Sequence, residues 1–161
     1  MRPYLRVRKV ADDGIDLLAW KNRPVDVLLD DRRVWTFWTF RDTESAAGPS
    51  VGPVRRVAWP RPLRRHLSGL SRVTLRDSAT ETVFFERELA FGDGRERIRV
   101  RNKSGVDLGV DKSGRLVPTF AGRSERDIDA LLDATEAVLE ALRATGVEPF
   151  LAYGTLLGAV R

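Results

Sequence analysis

Along residues 25–120, apolar side chains recur in short runs separated by turn formers. The run Val25 to Leu29, the acidic pair Asp30-Asp31 with Arg32, and the run Arg33 to Arg41 predict a hairpin. Its second arm, Val34-Trp35-Thr36-Phe37-Trp38-Thr39-Phe40, is aromatic and β-branched, and carries aromatics on both faces, as a strand covered on both sides would. Breakers fill Ser45 to Pro53, and a short helical turn is expected over Arg61 to Leu67. Further strands are expected over 71–76, 82–89, 95–101 and 115–120, with turns at Gly92-Asp93-Gly94, Asn102 to Gly105 and Lys112-Ser113-Gly114. Strands of this length and spacing predict an all-β, sandwich-like domain over residues 1–123.

The period then changes. Ile128, Leu131, Leu132, Thr135, Val138, Leu139 and Leu142 recur at helical spacing and predict one amphipathic helix. Ser124 with Asp127 suits its start and Gly146 its end. A short strand is expected over 147–153, and a second helix from Thr155. The fold class expected is therefore α+β: the β-rich domain, then a helix–strand–helix unit over 124–161.

Charge divides the chain at the same place. Residues 124–161 hold three bases and seven acids, net −4, which leaves +9 for residues 1–123 within a total of +5. Of the 28 basic residues only Lys9, Lys21, Lys103 and Lys112 are lysine. Arginine suits phosphate and carboxylate, although codon bias explains the same excess. The absence of cysteine excludes disulfides, thiolate zinc sites and cysteine nucleophiles, and the lone His66 excludes an imidazole cluster. The opening Met1 to Arg6 leads into no apolar stretch of the secretory kind, and no apolar run reaches membrane-spanning length. A cytoplasmic protein, or one peripheral to a membrane, is expected.

Two constellations could carry chemistry. A strand ending in Gly154-Thr155 and opening a helix offers amide N–H groups and a hydroxyl to an anion, although plain turn chemistry uses the same pair. The full run Tyr153-Gly154-Thr155-Leu156-Leu157-Gly158-Ala159-Val160-Arg161 closely resembles the signature of the LicD family, which includes bacterial phosphocholine transferases and fukutin-type proteins. The resemblance spans residues 124–161. It implies the start of a nucleotidyltransferase fold and transfer of phosphocholine, or a similar phosphorylated alcohol, from a CDP-activated donor to a cell-surface glycan or a teichoic acid or lipopolysaccharide precursor. It implies close backbone approach at Gly154, a phosphate-binding hydroxyl at Thr155 and tight helix packing at Gly158. Tyr153 would line the pocket, and Arg161 would contact phosphate. Family members continue into an Asp-rich run that holds a divalent metal, Mg or Mn, and these 161 residues do not include it. Asp12-Asp13 and Asp30-Asp31 read as turn acids, not substitutes. The chain alone is therefore expected to be an inactive fragment that binds no metal and carries no catalytic residue.

The second constellation is Arg95, Arg97, Arg99 and Arg101, alternating with Glu96, Ile98 and Val100. On a strand, four guanidinium groups would line one face over roughly 20 Å, suited to a polyanion. The plain alternative is a solvated outer face paired with acids such as Glu86 and Glu88. The competing function is accordingly a non-catalytic basic β-domain that grips an anionic polymer. Nucleic acid is not the expected partner; a nucleic-acid-binding barrel is a third class. Trp20, Trp35, Trp38 and Trp59 read as core and edge packing in preference to a sugar-stacking platform.

Overall fold

The computed structural model describes residues 4–45, 54–119 and 125–146. The chain divides into two units, residues 1–122 and 123–161.

The first unit is built from two four-stranded antiparallel sheets. One has the order β1-β2-β6-β5, from β1 (Leu5–Ala11), β2 (Gly14–Ala19), β5 (Glu44–Ser45) and β6 (Val54–Ala58). The other has the order β4-β3-β7-β8, from β3 (Pro24–Leu29), β4 (Arg32–Trp38), β7 (Gly69–Asp77) and β8 (Val83–Phe91). A small hairpin, β9 (Leu108–Val110) with β10 (Leu116–Pro118), follows. The single turn α1 (Arg61–Arg64) leads from one sheet to the other and inserts Leu63 into the core.

Both sheets feed one apolar cluster, which makes the unit a sandwich. Ile15, Leu17 and Ala19 point inward from β2, alternating with the half-buried Asp16 and Leu18. Val25, Val27 and Leu29 face them from β3, with Trp35 and Phe37 from β4 and Val73 and Leu75 from β7. The register pairs Val27 with Trp35 on one side and Leu75 on the other. Trp59 ties the cluster together: its ring lies 6.0 Å from that of Trp35 and 5.9 Å from that of Phe91, and its indole N–H donates to the Ala11 carbonyl at 2.7 Å. Burying rings of this size contributes on the order of 1.5–3 kcal/mol each.

The hairpin β3–β4 turns on Asp30 and Asp31, both left-handed at φ 47° and 67°. That pair of conformations gives the two-residue turn whose twist matches its strands, and Asp tolerates it better than most residues. Arg32 already belongs to β4. The expected two-sided cover of β4 is found only in part. Trp35 and Phe37 are buried on the inner face, whereas Trp38 is half-buried and Phe40, just beyond the strand, is exposed.

The second unit contains α2 (Glu125–Ala144), which ends at Gly146 with φ 76° and its N–H bonded to the Arg143 carbonyl. The α+β class is corrected here. The molecule is mostly β, its sheets are antiparallel, and the start of a nucleotidyltransferase-type α/β domain is not supported. Period 3.6 specifies a helix but names no sheet for it to cover. On α2 the stripe expected to be a buried face is exposed at Leu132, Val138 and Leu142. The strand expected over 147–153 and the helix from Thr155 lie outside the described residues.

Candidate functional site

The phosphate-gripping residues named from sequence, Tyr153, Gly154, Thr155, Gly158 and Arg161, all lie outside the described residues. The structure therefore describes α2, which leads toward them, and the first unit.

Arg95 to Arg101 keeps the expected alternation: Arg95, Arg97 and Arg99 are exposed, Arg101 is half-buried, and Ile98 and Val100 enter the core. The segment is not a strand of either sheet. It runs beside the start of β7 through a parallel bridge between Leu70 and Arg97. There Leu70 donates to the Glu96 carbonyl at 2.8 Å, and Ile98 donates to the Leu70 carbonyl at 2.9 Å. Two of the four guanidinium groups are engaged. Arg97 bridges Asp30 at 3.3 Å and Glu88 at 3.2 Å, and Arg101 meets Asp107 at 2.6 Å, a carboxylate shared with Arg32 at 3.0 Å. Among the described residues Arg95 and Arg99 have no carboxylate partner. What remains is two separated cations next to Asp93 and Glu96.

The turn acids have structural work. Asp13 pairs with Arg56 and Asp31 with Arg72. Asp30 accepts the Arg72 amide at 2.9 Å, stitching the β3–β4 turn to β7. His66 is half-buried just after α1. Among the described residues no group of three or more His, Asp or Glu side chains could hold a metal ion. No helix there is long and apolar enough to cross a membrane.

Two buried carboxylates escaped the sequence reading. Asp26 sits in mid-strand on β3, 2% exposed, and accepts the Thr36 hydroxyl at 2.7 Å and the Ser78 hydroxyl at 2.5 Å. Arg33 and Arg76 flank it at 3.8 and 3.9 Å. Asp77, at the end of β7, accepts the Tyr4 hydroxyl at 2.6 Å and the Ala79 and Thr80 amides at 2.8 Å each. Burial pushes Asp77 upward, but these donors outweigh it and hold the carboxyl below the ordinary range. Burial and the adjacent carboxylate both push the Tyr4 phenol well above its usual value. The signal for Asp26 was present in sequence, as one acid inside the apolar run Val25 to Leu29. Such a residue must find hydrogen-bond donors when the strand is buried.

No family model, curated protein or solved structure matches this chain.

The sandwich thus positions several structural carboxylates and leaves cations at its surface. At the end where β2 leads to β3 and β4 leads to β5, it also leaves aromatic rings in solvent: Trp20 is 51% exposed and Phe40 39%. The indole of Trp38 carries Arg41 over its face at 5.5 Å. Trp35 and Trp59 are core residues, as expected; Trp20 is not.

Proposed function

We propose that the protein serves LicD-type transfer, passing phosphocholine or a similar phosphorylated alcohol from a CDP-activated donor to an anionic envelope glycan. The observation that carries the reading is the nine-residue run Tyr153 to Arg161, placed shortly after an amphipathic helix that stops at a left-handed glycine. Amides at Gly154 and Thr155 with the Thr155 hydroxyl suit the donor phosphate, and Arg161 supplies positive charge. Transfer of this kind uses a divalent metal to neutralise the transferring group.

The test uses labelled CDP-choline with Mg²⁺ and envelope membranes from cells with and without the protein. Label entering glycan only when the protein is present, and lost with Thr155→Ala, supports the reading. Incorporation indifferent to the protein overturns it.

A second reading, a non-catalytic β unit that grips an anionic polymer, draws on the surplus of +9 over residues 1–123. It needs nothing from the Tyr153–Arg161 run.

A further inference from the structure

The loops β2–β3 and β4–β5 are bound into one rigid end of the sandwich. Thr39, fully buried, donates its hydroxyl to the Lys21 carbonyl at 2.6 Å and accepts the Arg23 amide at 3.0 Å. Its own amide donates to the Arg23 carbonyl at 3.1 Å, and the Phe40 amide donates to the Asn22 side-chain oxygen at 3.1 Å. Arg55 laces the second loop, donating to the Thr43 hydroxyl at 2.5 Å and to the Phe40 carbonyl at 3.2 Å. Its guanidinium lies 4.9 Å from the centre of the Phe40 ring. A loop pair held this firmly still leaves Trp20 and Phe40 in water. Aromatics presented on a pre-ordered surface are what recognition sites use, because little conformational entropy is lost on binding.

The charge here is mixed in an informative way. Lys21, Arg23, Arg41 and Asp42 lie on these loops, with Glu44 on β5 and Arg55 on β6 beside them, and Arg23 reaches the buried Asp77 at 3.9 Å. Arg41 is bound to Asp42 at 2.7 Å, while Lys21 has no carboxylate partner among the described residues. A nucleic acid strand, with a phosphate at every nucleotide, would bring closely spaced negative charge onto Asp42 and Glu44. A sugar chain with intermittent phosphates would offer hydroxyls to Glu44 and to the Asn22 side chain, Asp42 being already bound by Arg41 and the Trp38 amide. Its apolar ring faces would meet the aromatics, and its sparse charge the cations.

We propose that this end of the sandwich is a binding site for a phosphorylated polysaccharide, with sugar rings on Trp20 and Phe40 and phosphate near Lys21. The inference goes beyond the transfer reading and gives the second reading a location.

Affinity electrophoresis of the full chain through gels containing phosphomannan tests it, with dephosphorylated mannan, inorganic polyphosphate and poly(dT) as comparisons. Retardation is expected to be strongest in phosphomannan. Trp20→Ala and Lys21→Glu, both at exposed positions, are each expected to weaken it about tenfold, while Arg99→Ala leaves it unchanged. Thermal unfolding confirms that the variants fold; Lys21→Glu keeps the test valid should Trp20→Ala not. No retardation overturns the proposal, as does binding by polyphosphate or poly(dT) that equals binding by phosphomannan. Retardation lost with Arg99→Ala but not with Trp20→Ala or Lys21→Glu would preserve the second reading and remove this site.

Discussion

A Cβ placed on Gly69 would lie 2.1 Å from the carbonyl oxygen of Glu96. The backbone of the Arg95–Arg101 segment therefore seats directly on the start of β7, and only a residue without a side chain permits it. Gly69 also holds φ at +129°, outside the range that L side chains favour. Gly69→Ala is expected to lose about 2–4 kcal/mol of stability, since backbone is struck and must move. Gly105, at φ +81° with open space around its Cβ position, provides the contrast. There only conformational strain is added, and Gly105→Ala is expected to cost about 1 kcal/mol. Urea unfolding of the two variants checks the difference; equal losses would mean that the close approach is not real.

Asp26 supports two hydroxyls in the middle of a buried strand. Removing the carboxylate leaves Thr36 and Ser78 without their acceptor and Arg33 and Arg76 without their nearest charge. Asp26→Ala is expected to cost about 2–4 kcal/mol. The expected partial rescue is by Asp26→Asn: both hydroxyls are bound to one carboxylate oxygen, Oδ1, so the amide oxygen keeps both, while the charge facing Arg33 and Arg76 is lost. Chemical denaturation measures both, and a variant within about 0.5 kcal/mol of the parent would contradict the role.

The Tyr4–Asp77 bond links stability to pH at both ends of the scale. Asp77 has a depressed folded value, so its contribution is present above the unfolded carboxyl range near pH 3.9 and is lost as pH falls through the folded value. Tyr4 is raised, so its contribution is present below the unfolded phenol value near pH 10 and is lost as pH rises toward the folded one. Unfolding free energy measured against pH should therefore fall in strong acid and again in strong alkali. Asp77→Asn should flatten the acid limb, and Tyr4→Phe the alkaline limb. Limbs unchanged in both variants would refute the link.

Much of the sandwich is legible in the sequence. The β3–β4 hairpin announced itself through alternating apolar residues around Asp30-Asp31, and β7 and β8 through β-branched runs. β1 and β2 were not placed, although the Asp12-Asp13 turn between them was; a register shift between Val7 and Lys9 breaks the alternation in β1. Arg95 to Arg101 alternates as a strand does, yet it is joined to its neighbours only by the isolated bridges Leu70–Arg97 and Arg101–Asp107. Alternation records which way side chains face, not whether a ladder forms. The same limit applies to α2, whose stripe fixed a helix without naming its partner. Trp20 reads like any strand-end tryptophan in sequence. Its 51% exposure depends on how the strand ends meet in three dimensions, which sequence spacing does not encode. The Tyr153–Arg161 run was legible only through family resemblance.

Arg97 and Arg99 should separate on substitution. Arg97→Ala removes two exposed ion pairs and is expected to cost less than about 1 kcal/mol, shrinking further at 1 M salt, whereas Arg99→Ala should leave stability unchanged. Thermal unfolding at low and high salt checks this. A larger loss at Arg99 than at Arg97 would show that the partner assignment is wrong.

Calorimetric titration of the chain with CDP-choline reaches the central claim most directly. The account predicts measurable binding that disappears in Gly154→Val, while the unfolding transition of the β unit stays where it was. Absence of binding by the parent chain, or equal binding by Gly154→Val, would contradict it.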